Sequence, residues 1–294
     1  MRILCVGCTG FVGTAVRHVL CDAGHQLLVV SRYKNPSSHR YESWISYGSD
    51  WMDHLGKMDA VINLAGEPIA QILLTRGIRN SLRDSRVGIN ARIIQRLGRF
   101  DKLPGVWINA SAVGIYGDRG EEILTEESAP GSGFLADLCK EWEVDVERSA
   151  QLGMREVRLR FGPVLGRGGI LAGLKHLARF HLGGRIGSGD QYLPWIALSD
   201  LVRSVLFVLE NPMVQGASNV VSPGIVRQRQ FAESMANVLN IPTQIPMPGL
   251  VANHLPGTLR ELLVHSQRAI PDKLQKSGFN FVQTNLEECL QELL

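Results

Sequence analysis

The first sixteen residues, MRILCVGCTGFVGTAV (1–16), decide the fold class. A short run from Arg2 to Val6 reads as a buried strand, Gly7, Gly10 and Gly13 follow it, and an amphipathic stretch comes next. Strand, glycine turn and helix in that order have a physical logic. One glycine permits the tight turn, a second lets backbone approach a pyrophosphate, and the third allows close helix–strand packing. The helix N-terminus supplies N–H donors and the positive end of its dipole. The motif predicts a dinucleotide held by Gly7, Thr9, Gly10, Phe11, Val12 and Gly13. A tight strand–helix turn without a ligand is the competing reading. A signal peptide also starts with a positive charge and an apolar run, but the glycine spacing accounts better for these residues, and the chain reads as cytoplasmic.

A second strand, Gln26 to Ser31, ends about 20 residues after the motif, where this fold meets the adenosine ribose. An acidic residue there would bind the 2′-hydroxyl of NAD. The chain instead has Ser31 and Arg32, followed by Tyr33 and Lys34, which favours NADP(H) through a guanidinium–phosphate contact. Solvated loop charges are the alternative.

Further strands are predicted at Asp59 to Leu64, Val106 to Ser111 and Val157 to Phe161. Ile78, Leu82, Ile89, Ile93 and Leu97 repeat at helical spacing, as do Leu135, Leu138, Trp142 and Val146. Alternating strands and helices predict an α/β fold, a Rossmann-type doubly wound parallel sheet with a smaller C-terminal substrate lobe. Residues 1–165, completed by about 199–222, form the nucleotide-binding part; 166–198 and 223–294 form the lobe. From Phe161 to Asp200 turn residues dominate, and the stretch reads as loops over a site. A helix from Asp200 to Leu209, capped by Asp200, then a strand at Asn219 to Ser222 and helices at Gln228 to Leu239 and Asn285 to Leu294 complete the reading.

The formal charge of +3, from 31 basic and 28 acidic residues, gives no case for nucleic acid or an anionic membrane. No segment reaches the roughly 18 apolar residues of a membrane span. Five scattered cysteines argue against a disulfide framework, and no histidine pair has metal-site spacing. Cys5 and Cys8 form a C-x-x-C, but one falls in the first strand and the other in its turn. Arg76, Arg79, Arg83 and Arg86 recur every three to four residues opposite the apolar stripe, as a solvated helical face. In a functional role that face would serve an acidic partner or an oligomer contact such as a homodimer.

The glycine motif, NLAG at Asn63 to Gly66 and SAVGIYG at Ser111 to Gly117 together resemble the extended short-chain dehydrogenase/reductases of the sugar-nucleotide epimerase group. NLAGEPIA (63–70), RFGPVLGRGGIL (160–171), GSGDQYLPWI (187–196) and SQRAIPDKLQKSGFNF near the C-terminus resemble the atypical YfcH-like epimerase family. That resemblance implies NADP binding, with Asn63, Leu64, Ala65 and Gly66 joining the cofactor site, an unassigned reaction, and a family-specific C-terminal domain. Arg160, at the end of the last long strand, could face phosphate or carboxylate and is a further cofactor candidate. A buried ion pair is the competing reading of Arg160. The family tends to have His where this chain has Ala197.

The resemblance also implies a Tyr-x-x-x-Lys pair, whose tyrosine exchanges a proton with substrate while the lysine lowers its pKa. Tyr33, Tyr41, Tyr47, Tyr116 and Tyr192 are followed four residues on by Ser37, Ile45, Trp51, Gly120 and Ile196, so the chain has no such pair. The matching positions are Phe134 and Leu138, both apolar. Lys140 lies two residues further, about 200° around the helix. Ser111 and Tyr116 remain as catalytic candidates, each with packing as its bland alternative. Glu67, Gln191, Tyr192 and Trp195 are the substrate candidates. The reading that follows is an NADP(H)-binding enzyme acting on a small molecule, or a noncatalytic NADP-binding sensor.

Overall fold

Seven parallel strands form the central sheet, and the inner ones, apolar on both faces, need helical cover on both. In the computed structural model, which describes residues 1–32, 40–69, 75–241, 245–255 and 257–294, these strands are β1 (Arg2–Val6), β2 (Gln26–Ser31), β3 (Glu42–Ser46), β4 (Ala60–Asn63), β5 (Val106–Ala112), β6 (Arg155–Phe161) and β7 (Gly216–Val220). Tyr33, Lys34, Ser37 and Ala70 fall outside the described residues. The sheet order is β3-β2-β1-β4-β5-β6-β7, every pairing parallel. The order reverses between β1 and β4. That reversal opens a crevice at the carboxyl ends of the strands.

Alternation along the strands splits the core in two. Ile3, Cys5, Ile62 and Ile108 face one side with helices α1 (Phe11–Asp22) and, far along the chain, Leu198–Glu210. Leu4, Val6, Val61 and Trp107 face the other, against Ile89, Ile93, Leu97 and Val146. Each fully buried aliphatic side chain contributes about 1.5–3 kcal/mol.

The predicted helix through Ile78 and Leu97 is interrupted. It begins as α2 (Arg76–Arg83), widens into a π turn over 84–88 and resumes as α3 (Ile89–Leu97). Next comes α4 (Phe134–Arg148), as the apolar spacing predicts. The region expected to be loops contains a helix, α5 (Gly169–Arg179), preceding α6 (Leu198–Glu210) and α7 (Gln228–Val238). Short helices α8 (Gly249–Asn253), α9 (Gly257–Val264) and α10 (Asp272–Lys276) lead to α11 (Leu286–Leu293). Leu171, Trp195, Phe231, Met235, Leu286 and Leu290 form a separate apolar cluster among these later elements. Asp200 does not cap its own helix. It is fully buried and accepts from the backbone of Val282 and Gln283 while pairing with Arg203, thus fixing the C-terminal segment. Among the described residues, no helix is long and apolar enough to cross a membrane.

Candidate functional site

At the crevice, the glycines take three different structural jobs. Gly7 has φ +73°, and a Cβ there would lie 2.3 Å from the Ala65 nitrogen, so it allows the glycine turn to touch the loop after β4. A Cβ at Gly13 would lie 2.4 Å from the Cys8 Cα, so that position must stay bare for α1 to pack. At Gly10, among the described residues beyond its chain neighbours, such a Cβ would meet only the Gly7 carbonyl oxygen, 3.9 Å away. Gly10 therefore borders open space at the start of α1, whose first N–H groups have no partner within the helix. This is the cradle that a pyrophosphate fits. The Phe11 ring fills the space left by Gly166, Gly168 and Gly169.

The loop after β4 is set by buried amides. Asn63 is fully buried, donates to Asn90 (2.8 Å) and Asn109 (3.0 Å), and accepts from the Ala65 N–H (3.0 Å). Asn63, expected at the cofactor, thus spends its side chain shaping residues 64–66. Ser31 is buried at the end of β2, while Arg32 is exposed and lies 3.8 Å from the Glu67 carboxylate.

Arg86 is a correction to the solvated arginine face. It is only 6% exposed. Its guanidinium donates to the carbonyls of Glu67 (2.8 Å) and Leu82 (3.3 Å) and lies over the Trp142 ring at 5.0 Å. The π turn breaks the 100° periodicity on which the sequence reading relied, and so turns this arginine inward. Arg79 and Arg83 stay outside, near Phe134 and Glu141.

Farther along the carboxyl edge, the catalytic candidates are already committed. Strand register aligns Ser111, Arg160 and Asn219 across β5, β6 and β7. Ser111, 2% exposed, donates to Glu143 at 2.6 Å, and Arg160 grips that carboxylate with two bonds of 2.9 Å. Tyr116 is fully buried, donating to Asn219 (2.7 Å) and accepting from Arg160 (2.9 Å). Burial raises the Tyr116 pKa against the pull of Arg160, while the Glu143 carboxylate overcomes burial to hold Arg160 charged. Ser111, Tyr116 and Arg160 thus share one buried network, where two charges and their neighbours satisfy one another.

The helix that resembles the catalytic one carries Phe134, half-buried, and Leu138, buried. Lys140 pairs with Asp137 on its outer side. The first N–H groups of α4 are claimed by a residue the sequence reading missed: Glu261 of α9 accepts from Phe134 (3.0 Å) and Leu135 (2.9 Å). No local spacing signals a cap from so far along the chain.

Of the four substrate candidates, Gln191 and Tyr192 come together near Glu121, and Glu67 and Trp195 lie elsewhere. Glu67 borders a cavity of about 120 Å³ beside Ile78 and Leu82. Gln191 lines another of about 360 Å³, with Asp118, Glu121, Ile186 and Ser266. Tyr192 lies between Arg227 and Arg268 and hydrogen-bonds Glu121. Trp195 is fully buried, its indole N–H held by the Gly224 carbonyl at 2.8 Å, and so is a packing anchor. Ala197 is buried too, in a two-residue parallel bridge to Val164 and Leu165. Cys5 and Cys8 are free and buried, and the hydrogen bond with Cys8, then burial, pushes the Cys5 thiol up, away from redox reactivity. Among the described residues no His, Cys, Asp and Glu cluster is arranged to hold a metal.

The family model of the NAD dependent epimerase/dehydratase family matches residues 3–223. The chain belongs to that family. A second model, a domain of unknown function (DUF1731), matches residues 247–293, the segment that carries Glu261. The epimerase family protein YfhF of Bacillus subtilis is 33% identical over 298 residues, covering 100% of this chain and 98% of that protein. The epimerase family protein MT2273 of Mycobacterium tuberculosis is 34% identical, over 97% of this chain and 94% of its own. Among solved structures, human epimerase family protein SDR39U1 (isoform 2) with NADPH matches at a TM-score of 0.86 and 30% identity, across 100% of this chain and 99% of that one.

Proposed function

We propose that this chain binds NADP(H) in the crevice between β1 and β4 and serves as an atypical oxidoreductase or epimerase-type enzyme on a small molecule. The observation that carries this reading is the open space over Gly10, at the start of a helix whose neighbouring glycines are required by packing. Gly7, Thr9, Gly10, Val12 and Gly13 would hold the pyrophosphate, with Phe11 bracing the turn, and Leu64, Ala65 and Gly66 would face the dinucleotide from the opposite wall. Arg32, exposed at the end of β2 beside Ser31, would take the 2′-phosphate, in keeping with the NADPH of the human relative's structure. Bound there, the nicotinamide supplies hydride exchange. This chain's part is to hold the dinucleotide and to handle the proton, with Ser111 and Tyr116 the hydroxyl candidates, which would first have to leave their present partners Glu143 and Asn219.

A second reading, a noncatalytic NADP-binding sensor, is favoured by one observation: both hydroxyl candidates are buried and bonded within the protein. Five buried free cysteines support a reducing compartment such as the cytoplasm. Fluorescence titration with NADPH and NADH tests the cofactor reading. Tighter NADPH binding, lost in Arg32→Ala by about one to two orders of magnitude, is expected. Equal loss for NADPH and NADH would remove Arg32 from the phosphate site. Oxidation of bound NADPH by added carbonyl compounds separates enzyme from sensor.

A further inference from the structure

Arg86 carries a positive charge into the interior without a compensating carboxylate. Among the described residues no acidic side chain lies within 4.0 Å of its guanidinium, in contrast to buried Arg160, which has Glu143. The Glu67 carboxylate acts on it only through space and is itself in contact with Arg32. The hydrogen bonds Arg86 does make are to two carbonyls and the Ser85 hydroxyl. Two donors in this stacked pair are left without a partner, the Arg86 Nε and the Trp142 indole nitrogen, each buried. Burying an unpaired cation is costly unless an anion comes to it.

Its location suggests which anion. A Cβ on Gly66 would lie 3.0 Å from the Arg86 Cζ and Nη2, so the bare α-carbon of Gly66 lets the guanidinium pack against the loop. That loop is the wall touching the glycine turn, through Gly7 and Ala65. Gly66 itself is exposed, and the crevice at the β1/β4 reversal lies beside it. A π turn, a device that recurs at functional sites, is what brings the arginine here.

We propose that Arg86 is an electrostatic positioning residue for the dinucleotide, a buried cation beneath Gly66 whose charge is balanced by the cofactor's phosphates when they occupy the neighbouring glycine turn. This rests on the cofactor reading above. Arg86 holds the wall in place through its two carbonyl bonds and adds a positive potential that water screens poorly.

The test is NADPH titration of the full chain at low and high salt, with a thermal melt for each variant. Arg86→Gln removes the charge and is expected to weaken NADPH about tenfold while flattening its salt dependence. Arg86→Lys keeps the charge but not the fork, and is expected to recover most of the affinity and the slope. If Lys and Gln weaken binding equally with the wild-type salt slope, Arg86 only pins the loop and the proposal is overturned. Should both variants fail to fold, Gly66→Ala provides the check. Its Cβ displaces the guanidinium from the wall, so weaker NADPH binding with a flattened salt slope is expected in the folded variant, and unchanged affinity or an unchanged salt slope overturns the proposal. Failure of the unaltered chain to bind NADPH or NADH would instead overturn the cofactor reading itself.

Discussion

The two halves of the sheet's carboxyl edge are built on opposite principles. Between β1 and β4 the edge is open: glycines keep it bare, and a Cβ on Gly10 would meet almost nothing. Across β5, β6 and β7 it is sealed, with Ser111, Arg160 and Asn219 in one row bonded to Glu143, Tyr116 and Glu126. Both regions carry polar groups at strand ends. What separates them is the space beside those groups: the sealed half is filled by its own side chains, whereas the open half leaves the start of α1 bare beside Gly10.

The sharpest way to break that contrast is to unpair the sealed half. Glu143→Ala leaves Arg160 buried without its carboxylate, and a loss of about 3–5 kcal/mol is expected in chemical denaturation. A loss near zero would mean the network is not as closed as its geometry states. On the open side, Gly10→Ala is expected to leave the melting temperature nearly unchanged but to weaken NADPH by roughly tenfold, since the methyl group enters only the space the backbone offers a pyrophosphate. Equal NADPH affinity in that variant would show that the cradle is not the binding surface.

Between the two halves stands α4, whose cap is borrowed from the C-terminal segment. Removing it in Glu261→Ala is expected to cost about 1 kcal/mol and to speed amide exchange at Phe134 and Leu135. Unaltered exchange at those two amides would count against the contact. The smallest effect is expected away from both, at His25 on the opposite edge. Burial, then the N-terminal ammonium, lowers its pKa below 6.5 against the opposing pull of Glu210, so the folded chain keeps it neutral. Its contribution is present above pH 6.5 and lost as the pH falls through the lowered value, because the unfolded chain takes up the proton first. Melts of the wild type and His25→Gln on either side of pH 6.5 should converge toward acid; parallel curves would rule this out.

The open half was legible in the sequence because its signal is local. Glycine spacing, the strand before it and the missing acidic residue after Ser31 all lie within about thirty residues, and periodicity located six of the seven strands approximately. β3 (Glu42–Ser46) was missed, its burial being only partial. The helix α5 was hidden by flanking glycines, Gly168 and Gly169 at its start and Gly173 within it. Arg86 was misplaced because a helical wheel assumes one turn size throughout. Trp195 was legible only as one of two alternatives, since an aromatic residue on a glycine-rich loop serves pocket and core equally well.

By itself the sequence determined the α/β class, the strand–turn–helix at the N-terminus and the lack of a Tyr-x-x-x-Lys pair, all of which depend on neighbours in the chain. Only the tertiary structure decided that Glu143 links Ser111 to Arg160 and Arg160 in turn meets Tyr116, that Arg86 points inward and that Glu261 caps a helix 127 residues before its own position. The physical reason is that steric and periodic constraints act along the backbone, whereas the satisfaction of a buried polar group depends on strand register and on segments that meet only after folding.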